Sequence, residues 1–329
     1  MASSNKLLSI IIPTYNNADY IVGTLLSLHK SITSDVEIIL INDGSTDSTD
    51  EKIKQFLLDY PDHKVRYIHK ENQGVATTRN VGLANANGKY IGFVDGDDLV
   101  SPEYFSELLP KLQGEKYDIV EFNLIRDINE LYDAKKESHQ DTCDQYEIIV
   151  KDNDTTSLNP IFNAGQWHLV PRLFHRRIII NDRFEDGHRY EDMSFVPFQY
   201  FKCSRILKIN KYLYFYRVNT DGITENINKS DADNVFFAMK KMYSYIKVNK
   251  NKKDVGTLMI VKSFMEGRKL LRKSIGYYRY DKNDIILFQK ILAECNKKII
   301  DRKIIIKMKH PYIDKLISYI NYKISIFFR

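Results

Sequence analysis

Lys89–Asp98, KYIGFVDGDD, joins a short apolar run to a cluster of three carboxylates. Tyr90, Ile91, Phe93 and Val94 are β-formers without polar interruption, the pattern of a strand buried on both faces. The carboxylates then sit at the strand's carboxyl end, which is where open α/β sheets bind ligands. Asp95 and Asp97, separated by Gly96, can address one ligand from adjacent positions. Paired hard oxygen donors suit Mg²⁺ or Mn²⁺, ions that meet phosphates through one or two carboxylates and keep several waters. Taken alone, the same four residues also fit a plain acidic turn after a core strand.

Upstream of this stretch the pattern repeats. Leu7–Ile12 is an apolar run closed by Pro13-Thr-Tyr-Asn-Asn17, and Tyr20, Ile21, Leu25 and Leu28 then recur at helical spacing. Val36–Ile41 leads through Asn42-Asp43-Gly44 to a helix that Ser48 and Glu51 can cap as a box. Val65–Ile68 leads through Glu71-Asn-Gln-Gly74 to a helix from about Val75 to Ala86. Alternation of this kind specifies an α/β fold with a parallel sheet covered on both faces, and it brings Tyr15, Asp43, the 71–74 loop, Asp95 and Asp97 to one edge. A dinucleotide fingerprint after the first strand and a phosphate-cradling GxxxxGK[ST] loop are both absent, which removes the commonest nucleotide-fold readings.

Four motifs in register carry a resemblance. SIIIPTYNN (9–17), LINDGSTDST (40–49), ENQGVATTRNVGLANANGKYIGFVDGDD (71–98) and YEDMSF (190–195) together resemble the inverting family 2 glycosyltransferases with the GT-A fold, over about the first 220 residues. The resemblance implies a Rossmann-like, mostly parallel sheet with flanking helices. It implies a catalytic domain over residues 1–225, with a nucleotide-sugar half at about 1–125 and an acceptor half at about 126–225. It also implies site roles. Pro13, Tyr15, Asp43 and Asn72 would border the nucleotide, and an ionised Asp43 can only accept the ring N–H of uracil. Arg79 would stand near base or diphosphate as a planar donor, Asp95 would take the ribose hydroxyls, and Asp97 would hold the Mn²⁺ or Mg²⁺. Asp192 would be the base that deprotonates the acceptor, with Glu191 orienting its loop. Trp167 would border the sugar, and Arg217, in the closing YR segment, would cover the diphosphate. Each also has a plainer reading: a loop aromatic, a turn-former, a surface arginine, a helix-start acid or a core tryptophan.

The expected reaction is transfer of a sugar from a nucleotide sugar, a UDP-sugar first, to a hydroxyl of a bacterial surface glycan or its lipid-linked precursor. The alternative is a catalytically silent nucleotide- or glycan-binding module of the same fold. Cys143, Cys203 and Cys295 lie far apart, so neither a zinc site nor a disulfide framework is indicated. With no signal-peptide pattern at the start and no long apolar stretch, a cytoplasmic protein is expected, including one peripheral on the inner face of the membrane.

Charge is divided unevenly. From Lys240 onward there are 23 Lys/Arg against 7 Asp/Glu, a net +16, which leaves 26 against 36 in residues 1–239, a net −10. Residues 226–329 read as a helical, basic C-terminal region, in which Ile313, Leu316, Ile317, Ile320, Ile324, Phe327 and Phe328 follow helical spacing. Such a helix can dock on its own domain, pair with a second subunit as a homo-oligomer, or lie on an anionic membrane surface. No nucleic-acid-binding module is present, so nucleic acid is not an expected partner. The polar segment 126–160 carries no assigned chemistry.

Overall fold

A computed structural model describes residues 6–126, 144–220, 222 and 226–327; Cys143, Thr224, Phe328 and Arg329, together with residues 127–143 of the polar segment, lie outside them. The chain forms two compact units. The first comprises residues up to Val150, His168–His188 and Lys202–Asn219, and the second Lys151–Trp167, Arg189–Phe201 and the chain from Thr220 on. The continuous domain expected over 1–225 is therefore interrupted twice, and the stretches around Trp167 and Glu191-Asp192 fold with the C-terminal helices.

The first unit is built on one sheet, in the order β3-β2-β1-β4-β8-β6-β9-β5, with β7 also pairing β9. Strands β1 (Leu8–Thr14), β2 (Val36–Asp43), β3 (Val65–Lys70) and β4 (Tyr90–Phe93) run parallel. Every residue of β1 and β4 is buried, as a strand covered on both faces requires. Ile10, Ile12, Leu40 and Tyr90 share a core with Ile21, Leu25, Leu28, Ile53 and Phe56 from α1 (Ile21–His29) and α2 (Thr49–Asp59). Each such aliphatic side chain stabilises the fold by about 1.5–3 kcal/mol. Beyond β4 the sheet turns mixed. β8 (Arg172–His175) is antiparallel to β4 and β6 (Ile119–Ile125), while β9 (Arg205–Phe215) is parallel to β6 and antiparallel to β5 (Leu99–Val100) and β7 (Gln145–Ile149). Completing the flanks are α3 (Val75–Asn85), α4 (Tyr104–Leu112) and, after the second unit's short α5 (Asn159–Ala164), α6 (Arg176–Ile179).

One local expectation is corrected. Ser48 and Glu51 form no capping box; Asp47 Oδ1 instead accepts the Thr49 N–H at 3.0 Å. Asp47 thus satisfies a different orphan donor of the first turn, the N–H two residues on, in the manner of an Asx turn.

The second unit is helical: besides α5 it holds α7 (Glu191–Tyr200), α8 (Lys229–Val248), α9 (Lys253–Ile275), α10 (Lys282–Glu294), α11 (Arg302–Lys309) and α12 (Pro311–Phe327). The apolar stripe of α8, including Val235, Phe236, Met239, Met242 and Ile246, is buried. Phe236, Phe264 and Tyr280 each meet Phe288 edge to face in its core. Asn228 and Asp281 open α8 and α10 with full capping boxes. Among the described residues, no helix is long and apolar enough to cross a membrane.

Candidate active site

The carboxyl ends of the four parallel strands carry loops that are tied to one another. Asn16 Oδ1 accepts the Thr46 N–H at 2.8 Å, and the Asn16, Asn17 and Ala18 N–H groups donate to Ser45, Thr49 and Asp47. Tyr15 therefore stands on a fixed loop and is 46% exposed. Pro13 is buried within β1 opposite Ile41, one residue before the strand ends at Thr14. Asn72 is exposed on the loop after β3.

Asp43, only 3% exposed, is more engaged than the sequence suggests. Its carboxylate pairs with Lys70 Nζ and accepts the Gln73 and Gly74 N–H groups at 3.0 and 2.9 Å. Three acceptor positions of about four are thus occupied, leaving room for one further donor. The same bonds fix the loop that begins α3.

That helix delivers Arg79, which is buried and donates from Nη2 to Asp95 Oδ1 at 2.7 Å. Its guanidinium also lies over the Phe184 ring, while Asn80 and Thr77 hold the Phe184–Asp186 segment against the helix. Gly96 is needed at the turn itself, because a Cβ there would come within 2.8 Å of Asn17 Nδ2 and Thr14 Oγ1.

Asp97 and Asp98 part ways. Asp97 accepts the Asn219 Nδ2 at 2.9 Å, and burial, with the Asp95 charge beside it, pushes its carboxyl above the usual range. Asp98 is buried, accepts the Tyr214 hydroxyl at 2.6 Å and the Arg217 N–H at 2.8 Å, and is pushed up to about 8 by burial and by Asp95 and Asp97. Tyr214 Oη in turn accepts the Asp95 N–H at 3.1 Å. Asp98 is therefore the structural acid of the motif, binding it to the end of β9.

Arg217 behaves differently from the expected diphosphate cover. Its Nε donates to the Asp97 carbonyl, and its Nη2 donates to the Tyr20 carbonyl and Thr24 Oγ1 at 3.1 Å each. Here the side chain braces the acidic turn against α1.

A divalent ion fits this donor set. Asp95 and Asp97 crowd two carboxyl groups into a half-buried turn where ionising both is unfavourable, and a cation relieves that cost. Among the described residues no group of three or more His, Cys, Asp or Glu is arranged to hold a metal. Phosphate oxygens and water would have to complete the shell, as Mg²⁺-type sites commonly allow.

In the second unit, Tyr190 adopts a left-handed conformation (φ 57°) and so turns the chain sharply into α7. Glu191 is buried and Asp192 is partly exposed, with Asp192 Oδ1 accepting the Met193 N–H at 2.7 Å. An acid is favoured at this helix end. Trp167 is 3% exposed and packs edge-on against Phe162 and Tyr200, so its ring is core of this unit, and its buried indole N–H has no acceptor among the described residues.

Residues 9–203 match the family model described as glycosyl transferase family 2. The chain belongs to glycosyltransferase family 2. This transferase is 31% identical to the uncharacterized glycosyltransferase EpsJ of Bacillus subtilis over 223 residues, covering 67% of the chain and 63% of EpsJ, less than two thirds of that relative's length. It is 30% identical to glycosyltransferase GlyG of Streptococcus pneumoniae over 227 residues, 67% of the chain and 73% of GlyG. The GT-A fold is shared with S. aureus TarS 1–349, crystallised with UDP-GlcNAc, at a TM-score of 0.71 and 16% identity over 97% of the transferase and 91% of TarS. A mannosyltransferase from Pyrobaculum calidifontis, bound to GDP-Man and Mn²⁺, matches at 0.54 and 13% over 95% and 87%.

Sequence reasoning missed Lys70, Asp98 and Asn219. Asp98 stood in the motif, but its partner Tyr214 lies 116 positions away. Asn219, two residues after Arg217, was within reach of the YR segment as a signal.

Proposed function

We propose that this transferase is a metal-dependent inverting enzyme that moves a sugar from a UDP-sugar to a hydroxyl of a bacterial surface glycan or its lipid-linked precursor. The observation that carries this reading is the rim at which Arg79, Asp95 and Asp97 meet the loops of Tyr15 and Asp43. An exposed tyrosine on a fixed loop, one arginine and two crowded carboxylates suit a nucleoside diphosphate with its cation. The UDP-GlcNAc complex of the structural neighbour TarS supports uracil as the base, and the Mn²⁺ bound by the archaeal mannosyltransferase supports the ion.

In this reading the Tyr15 ring covers the base, Asp43 offers its remaining acceptor position to the uracil N–H, and Asp95 takes ribose hydroxyls while Arg79 holds it in place. Asn219 orients Asp97 toward the diphosphate. When bound, the divalent ion supplies Lewis-acid stabilisation of the departing diphosphate. Asp192 removes the proton from the acceptor hydroxyl; the oxygen then bonds to the anomeric carbon as the bond to the diphosphate breaks, with inversion. A base in hydrogen-bond reach contributes on the order of 10²–10⁴-fold.

The test is a panel of nucleotide sugars with Mn²⁺, read by thermal stabilisation and by release of free nucleoside diphosphate. One UDP-sugar is expected to raise the unfolding temperature by mass action and to release UDP. Stabilisation without UDP release in the presence of glycan acceptors would favour a silent binding module, and neither response would overturn the donor assignment.

A further inference from the structure

We infer that α12 is a lipid-docking helix whose outer face enters the interfacial layer of an anionic membrane. Its packing is the reverse of the usual arrangement. Asp314, Ser318 and Tyr322, spaced i, i+4, i+8, form its inner face. Asp314 pairs with the buried Arg268 and accepts the Tyr280 hydroxyl at 2.8 Å. Ser318 Oγ accepts the Tyr278 N–H at 3.0 Å. Tyr322 lies where a Cβ on Gly276, a left-handed residue at φ 84°, would be 2.2 Å from the ring.

Polar and aromatic anchors thus hold the helix down, and its apolar side is turned outward. Ile313, Leu316, Ile317, Ile320, Ile324 and Phe327 occupy an arc of roughly 100° on the opposite face, with Leu316 58% and Phe327 84% exposed. A contiguous apolar strip of this kind marks an interaction site. Lys315 and Lys323 are exposed along the same helix, and Ile306 is exposed on α11.

Charge selects the occupant. The segment from Lys240 onward carries a net +16, so two copies brought together there would repel. An anionic lipid surface attracts the same charge, at about 1 kcal/mol for each Lys or Arg near it, and accepts apolar side chains at headgroup depth. Nucleic acid would satisfy the lysines but leave the isoleucines in water.

The experiment is sedimentation of the full chain with phosphatidylcholine vesicles, with and without phosphatidylglycerol, in the absence of nucleotide sugar, so its outcome is independent of the donor assignment. The protein is expected to pellet with the anionic vesicles and to be released by high salt. A triple Ile313→Ser, Ile317→Ser, Ile320→Ser variant is expected to bind about tenfold or more weakly at an unchanged unfolding temperature, since these side chains leave no cavity. A Lys315→Gln, Lys323→Gln variant is expected to lose roughly fivefold per lysine of its anionic preference. The proposal is overturned if wild-type protein stays in the supernatant with anionic vesicles, or if the triple variant pellets as well as wild type. It is overturned in favour of a second copy if wild type dimerises without lipid and the triple variant does not.

Discussion

The rim of the parallel sheet and the last helix solve opposite problems with the same means. At the rim, polar groups turn inward and are nearly all satisfied by one another: Asp43 by Lys70 and two N–H groups, Asp98 by Tyr214 and Arg217. On α12 polar groups also turn inward, through Asp314 and Ser318. The regions differ in what is left uncompensated. At the rim it is the crowding of two neighbouring carboxyls, Asp95 and Asp97, which Arg79 and Asn219 offset only in part, whereas on α12 it is apolar area. Each imbalance suits the partner proposed for it, a cation with its phosphates in one case and a lipid surface in the other.

The sharpest way to break the first half of this contrast is chemical. Asp192→Ala is expected to lower kcat by up to about 10⁴-fold, with donor KM and unfolding temperature little changed, measured by UDP release with acceptor present. Asp97→Ala should lower kcat by roughly 10³-fold, and chelation of divalent ions by EDTA should do the same to wild type, reversibly. Because Asp97 is half-buried beside Asp95, its removal should leave stability unchanged or raise it, which denaturant unfolding will show.

The second half yields to stability measurements. Asp314→Ala leaves the buried Arg268 without its carboxylate and should cost roughly 3–4 kcal/mol, seen as lost hydrogen-exchange protection concentrated in α12. Asp98→Ala orphans a buried hydroxyl and a backbone N–H and should cost roughly 2–3 kcal/mol, lowering the unfolding midpoint with or without donor. Smallest of all, Tyr15→Ala removes an exposed ring and should raise donor KM several-fold, about 1 kcal/mol of stacking, without moving the midpoint.

Much of this was legible in the residues. The four parallel strands announce themselves as apolar runs ending in Asn, Asp and Gly, because burial on both faces leaves no choice of side chain. Amphipathic spacing likewise exposed α8 and α12. Periodicity reports that a helix has two faces and is silent on which one is bound, so the outward apolar side of α12 had to be seen. The interruptions at 151–167 and 189–201 were hidden for a related reason: a segment that leaves one core for another keeps the same local pattern. Arg217 carried the right chemistry for phosphate, and its direction was set by carbonyls of Asp97 and Tyr20 that no local pattern encodes.

The bond between Asp98 and Tyr214 has a consequence for synthesis. Leu99 and Val100, directly after the acidic turn, form their strand pairs with Tyr214 and Phe215, so the support that this pairing and the Tyr214 hydroxyl add to Asp98 arrives only after more than two hundred residues have left the ribosome. A nascent chain that already carries all four parallel strands and their loops therefore still lacks the anchor that Tyr214 gives its acidic turn.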